Sequence, residues 1–252
     1  MGRRDEYRAE LRALQPADWA PYLRTHSGLP GARANLELAW AVAEEASPGQ
    51  LDRLLASDEE YLVLCATVGL GRLLADGSGE AAKRLRSYAT DARWRVREGV
   101  VMGLQRLGDA DLPRLLDLAA SWARDPDPLI QRAAVAGICE PRFLKRAGAA
   151  ARAIGICEYL TQQIAARPRG ERNDATVRTL RQALGYCWSV AVAADPDTGL
   201  PRFRRLTASD DPDVAWIARE NAKKTRLASL LLSPQPPRPT SWSWPPGFNI
   251  AD

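Results

Sequence analysis

One pentapeptide in the chain recurs with its register intact. Gly69-Leu70-Gly71-Arg72-Leu73 returns 34 residues later as Gly103-Leu104-Gln105-Arg106-Leu107. The same offset lays Leu62 on Val96 and Ala66 on Val100. A second step reaches Gly137-Ile138, with Asp125 on Asp91, Ile130 on Val96 and Ala134 on Val100. A further copy follows an insertion: Trp94-Arg95-Val96-Arg97-Glu98 is echoed by Trp216-Ile217-Ala218-Arg219-Glu220, 122 residues on, which lays Asp91 on Asp213. A fixed period of this length marks a stack of like units. One helix pair alone cannot bury its apolar face, whereas stacked pairs share a continuous core.

Each unit reads as helical. Ala, Leu and Arg, all strong helix formers, dominate, and stretches of alternating polarity are few. Leu112, Leu115, Leu116 and Ala119 recur at spacings of three and four. Asp-Pro pairs such as Asp125-Pro126 and Asp211-Pro212 punctuate the pattern. There Asp caps free N–H groups, and Pro suits the turn or first helical position. Small residues on the inner face let neighbouring helices approach. The pattern predicts helices over 4–14, 16–25, 32–46, 48–56, 59–75, 79–89, 92–107, 111–123, 127–139, 147–166, 173–194, 198–207 and 212–230, with an exposed loop over 167–174.

The spacing Asp-x-x-x-x-Val-Arg-x-x-x-x-x-x-Leu, best preserved at Asp91, Val96, Arg97 and Leu104, resembles the HEAT-repeat family. The next copy puts Gln131 where the motif has Arg, and the preceding one has Ser57 for the Asp and Val63 for the Arg. The resemblance covers about residues 50–145 and 205–228. It implies an all-α fold, a right-handed α-solenoid of HEAT-like (armadillo-like) helix pairs. Residues 1–232 are expected to form this repeat domain, and 233–252 a separate tail rich in Pro and Trp.

Composition narrows the chemistry. The chain has 252 residues, a net charge of +4, four cysteines and a single histidine, His26. One histidine removes most zinc sites and His-dependent triads. No C-x-x-C pair, Gly-rich phosphate loop or hydrolase elbow occurs. Cys65, Cys139, Cys157 and Cys187 have apolar neighbours and are read as buried thiols. Asp58-Glu59-Glu60 and Asp210-Asp211 are read as helix-start residues, and His26 as a helix-end or turn residue. No catalytic residue, metal site or cofactor is expected. With neither a signal peptide nor a run of about 18 apolar residues, the expectation is a cytoplasmic protein without a membrane partner.

The remaining candidates are binding residues. Trp94 with Glu98, and Trp216 with Glu220, stand four apart and so share a helix face. Trp94 and Trp216 are expected at equivalent repeat positions, either packed between repeats or forming an aromatic shelf. Arg97 belongs to the motif itself. Arg219, Lys223 and Arg226 are expected as one basic stripe along the last helix, with further cations at Arg178 and Arg181, at Arg202, Arg204 and Arg205, and at Arg142, Lys145 and Arg146. In the tail, Trp242, Trp244 and Phe248 are either part of a disordered segment or dock into a groove. The first expectation for function is a non-enzymatic scaffold that offers a concave surface to a protein or a nucleic acid. The alternative rests on a second resemblance, in size and helix-pair content, to the HEAT-like DNA alkylation-repair glycosylases. Those proteins hold DNA in a basic groove and stabilise a cationic alkylated purine nucleotide with tryptophans and an acidic residue. Here Glu98 and Glu220 stand where that family uses Asp.

Overall fold

The computed structural model describes residues 2–232, and among them it is helical throughout, without a strand. The helices are α1 (Arg3–Ala13), α2 (Trp19–His26), α3 (Leu36–Glu45), α4 (Pro48–Leu55), α5 (Glu60–Ala75), α6 (Gly79–Tyr88), α7 (Trp94–Ala110), α8 (Leu112–Ala123), α9 (Pro128–Ile138), α10 (Pro141–Leu144), α11 (Ala149–Ala166), α12 (Ala175–Ala194), α13 (Pro196–Thr207), α14 (Pro212–Ala222) and α15 (Thr225–Leu232). A single 3-10 turn, Glu171–Asn173, precedes α12.

Polar side chains set about half of the starts. Ser47, Asp111, Asp127 and Asp195 each accept a backbone N–H from the first turn of the helix that follows, and each of those helices carries Pro at its first or second position. Asn35 accepts from Leu38 N at 3.1 Å, so α3 begins at Leu36 and not at 32 as the apolar spacing suggests. The expected helix over 212–230 is two helices. The α14 ladder stops at Asn221, whose carbonyl takes the Lys224 N–H, and α15 starts at Thr225.

Alternate helices pack in succession: α1 on α3, α3 on α5, α5 on α7, α7 on α9, α9 on α12 and α12 on α14. The helices between them lie against these neighbours, as α4 and α6 do against α5, and α8 against α7 and α9. Small residues bring α5 and α7 together. A Cβ on Gly99 would lie 2.8 Å from the Leu64 carbonyl, and one on Gly103 2.8 Å from that of Thr67. Buried apolar side chains run as one cluster from Tyr7 to Leu227, with Trp188 and Phe203 fully enclosed edge to face. All four cysteines are free and buried within it.

The turns before α5, α7 and α9 are built alike. Ser57 Oγ accepts from Glu59 N, Asp91 Oδ1 from Arg93 N, and Asp125 Oδ1 from Asp127 N. These positions are 34 residues apart. In the last copy it is Ser209 whose Oγ accepts, from Asp211 N, and Asp211 caps α14. The offset from Asp91 is therefore 118 residues, whereas the matched pentapeptides suggest 122. Trp94 and Trp216 are accordingly not equivalent: one opens α7, whereas the other is the fifth residue of α14.

Candidate functional site

α7, α9 and α12 lie side by side, and their uncovered surfaces wall a depression of about 260 Å³. Glu98, Val101 and Gln105 come from α7 at spacings of three and four. Arg132 and Ala136 come from α9, and Ala183 and Tyr186 from α12. Cys139 and Cys187 close the floor, and Glu140 stands at one end. Tyr186 is 43 % exposed, a large value for an aromatic side chain in the middle of a helix.

Charge on this face is held in pairs that cross from one helix to the next. Arg132 is ion-paired with Glu98 and also donates to the Arg97 carbonyl at 3.2 Å. Arg95 pairs with Glu60 at 2.9 Å. Beyond the depression, Arg226 Nη2 donates to the Tyr186 hydroxyl at 3.0 Å with its guanidinium over the ring, and the Lys224 ammonium lies 5.7 Å from the ring centre. Such cation–ring contacts hold the phenol upright at the rim.

The residues singled out in the sequence are not gathered into one cleft. Trp94 is 53 % exposed, with the Arg95 guanidinium 4.5 Å from its ring centre, and it lies outside the walls of the depression. Trp216 is half-buried: its ring edge meets α12 at Gly185, and the Arg181 guanidinium covers it at 4.8 Å. Arg97 turns away from the face and donates to the Asp91 and Ala92 carbonyls, bracing the turn before α7. Gln131, 34 residues on, donates to the Asp125 carbonyl and performs the same task.

The basic stripe is broken by the end of α14. Arg219 lies on α14, Lys223 caps that helix and Arg226 lies on α15. Lys223 is bound to Glu220 at 2.5 Å, and this contact holds the Glu220 carboxyl below its ordinary range. Other candidate cations are also engaged. Arg202 and Arg205 share Glu158, Arg142 pairs with Asp109 and Glu140, and Arg181 with Asp213. His26 ends α2, stacked on Tyr22. Trp242, Trp244 and Phe248 lie outside the described residues.

Three residues of structural weight carried no motif. Tyr186 could have been found by helical spacing, because Leu180, Leu184 and Trp188 define the buried stripe of α12 and Tyr186 lies opposite it. Arg172, in the loop expected over 167–174, folds under the chain. It pairs with Asp211 at 2.5 Å and Asp213 at 3.4 Å, and donates to the Arg167 and Ala165 carbonyls. Asn221 is fully buried between α14 and α12.

Among the described residues no cluster of His, Cys, Asp or Glu is placed to hold a metal ion. No helix there is long and apolar enough to cross a membrane. No family model matches the chain, and no curated protein matches it. Two solved structures, both of engineered proteins from the Northeast Structural Genomics Consortium, align with it. One covers 91 % of this chain and 100 % of its own at 18 % identity, with a TM-score of 0.38. The other covers 91 % and 98 % at 17 % identity, with a TM-score of 0.37. Likeness at that level does not establish a shared fold.

Proposed function

We propose that the chain is a right-handed α-solenoid of HEAT-like helix pairs and acts as a non-enzymatic scaffold that binds a protein on the α7–α9–α12 face. The successive packing of alternate helices and the like-built turns at Ser57, Asp91 and Asp125 support the solenoid. The observation that carries the binding reading is Tyr186, an exposed aromatic at the rim of a depression with apolar walls and a few polar groups. Aromatic anchors beside small pockets dominate protein recognition energetically. Trp94 adds a second exposed ring on α7.

A protein partner fits better than nucleic acid because many of the candidate cations are already committed. Phosphate recognition needs arginines and lysines that are free to neutralise it, and Arg95, Arg132, Arg142 and Arg181 each face a carboxylate. The glycosylase alternative draws less support for the same reason: Glu98 and Glu220 each hold a cation. Titration with duplex DNA at falling salt tests the choice. No binding is expected. Affinity whose logarithm falls steeply and linearly with the logarithm of salt would overturn the protein reading. Peptides selected on the intact chain are expected to lose binding by about tenfold or more with Tyr186→Ala, as for an interface anchor.

A further inference from the structure

We propose that the proline-rich segment 233–239 of this same chain, Ser-Pro-Gln-Pro-Pro-Arg-Pro, docks in cis onto the depression between α7, α9 and α12. The proposal does not depend on any external partner using that face.

Three observations carry it. The first is continuity. α15 packs on α12 and α14, and Arg226 in its first turn is bonded to Tyr186 at the rim. Six helical steps separate Arg226 from Leu232, a span of about 9 Å. The seven residues that follow reach about 22 Å as an extended proline-rich chain. They therefore begin within reach of the depression and need not cross the molecule.

The second is the chemistry of the surface. Extended proline-rich segments bind where an exposed aromatic ring flanks a shallow apolar groove with a few polar groups. They need little ordering, because proline already restricts the backbone. Tyr186, still 43 % exposed with Arg226 and Lys224 in place, supplies the ring. Val101, Ala136 and Ala183 supply the groove.

The third is charge. Arg238 is the only charged residue from Ser233 to Ala251. The depression is lined by Glu98, paired with Arg132, and Glu140, paired with Arg142, and Arg132 is the one cation in its lining. Glu98 gives only Oε1 to Arg132, and a carboxylate has room for further donors. The larger hollow between α2, α4 and α5, about 410 Å³ and lined by Trp19, Leu54 and Leu62, carries Arg24 and Arg53 and no carboxylate. It lacks the charge that would meet Arg238.

Disulfide trapping in the full chain tests the proposal, because every native cysteine among the described residues is buried. Gln105→Cys combined with Gln235→Cys pairs the depression with the segment, and Gln50→Cys with Gln235→Cys pairs it with the other hollow. Under mild oxidation with glutathione disulfide, the first pair is expected to close within one molecule about tenfold faster than the second, through its higher effective concentration. Tyr186→Ala, at an exposed ring, and Arg238→Glu are each expected to slow that closure about fivefold. Equal rates for the two pairs, faster closure at Gln50→Cys, links formed mainly between molecules, or closure indifferent to Tyr186→Ala and Arg238→Glu would each overturn it.

Discussion

The Asn221 side chain accepts the backbone N–H of Ser189 at 2.8 Å, across the boundary between α14 and α12. Its amide nitrogen donates to the Leu184 carbonyl at 2.8 Å, so one carboxamide bridges the α12 backbone beside Gly185. Asn221 and Ser189 are both fully buried, so neither backbone group has water to fall back on. Asn221→Ala is expected to cost about 2 kcal/mol, the sum of two buried hydrogen bonds at about 1 kcal/mol each. Asn221→Asp should also destabilise, because its charge would face the Leu184 and Ile217 carbonyls. Urea unfolding of both variants measures this, and a loss within experimental error of zero would show that the bridge is dispensable.

The space around the missing Cβ predicts opposite signs for two Gly→Ala changes. A Cβ on Gly71 would run into the Gly103 backbone, which cannot move without separating the helices. Gly71→Ala is therefore expected to lose about 3 kcal/mol or more. Gly155, inside α11, has nothing within 4 Å of where its Cβ would stand. Gly155→Ala should gain up to about 1 kcal/mol from helix propensity and a less flexible unfolded chain. Thermal unfolding of the pair decides; a stabilising Gly71→Ala would contradict the packing described.

Helices and turns were legible where local chemistry decides them. The 34-residue offset found Ser57, Asp91 and Asp125, and each makes the same turn bond because a short oxygen-bearing side chain at that position meets an N–H two residues on. Substitution of Gln131 for the motif arginine looked like a departure, yet both side chains donate to the equivalent carbonyl. The last copy is misplaced by four residues in the sequence alignment, because identities at Trp216 and Glu220 outweigh the turn at Ser209. Asp213 is already inside α14, held by Arg172 and Arg181. Nothing local marks the break after Ala222, since no Gly or Pro stands there. The candidate site was less legible. Which arginines are free depends on carboxylates some 30 to 50 residues away, as with Arg132 and Glu98 or Arg205 and Glu158.

Acid should weaken the fold through the turn aspartates. Arg93, by its side chain and its N–H, holds the Asp91 carboxyl below the ordinary carboxylate range. At Asp211 burial pushes the other way, but Arg172 and the N–H groups of Val214 and Asp213 outweigh it and the carboxyl is again lowered. A carboxyl depressed by folding adds stability that is complete above its unfolded value of about 3.9 and lost as pH falls through the lower folded value. Stability is therefore expected to be level above about pH 5 and to decline below about pH 4. Asp91→Asn and Asp211→Asn should each lower stability at neutral pH and shallow the acid decline. Profiles parallel to that of the unaltered chain would assign the decline to other groups.

The cysteines should be silent until the chain unfolds. Burial pushes the Cys65 thiol up to about 12 and also raises Cys157. Cys139 and Cys187 sit well above the ordinary thiol range: Cys139 through its contact with Cys157, and Cys187 through its contact with Cys139. Only the thiolate reacts with alkylating reagents, and a buried thiol is also out of reach of them. Iodoacetamide at about pH 8, near the ordinary thiol pKa, is thus expected to modify none of the four in the folded chain and all four in denaturant. The sulfurs of Cys139 and Cys157 lie 4.0 Å apart, too far for a disulfide, and of the two only Cys139 reaches the depression, where Cys187 joins it. If the depression opened readily to solvent, Cys139 and Cys187 would be labelled ahead of Cys65. Mass spectrometry of the modified sites over time separates the two cases: simultaneous labelling at the rate of global unfolding supports the closed floor, and early labelling of that pair refutes it.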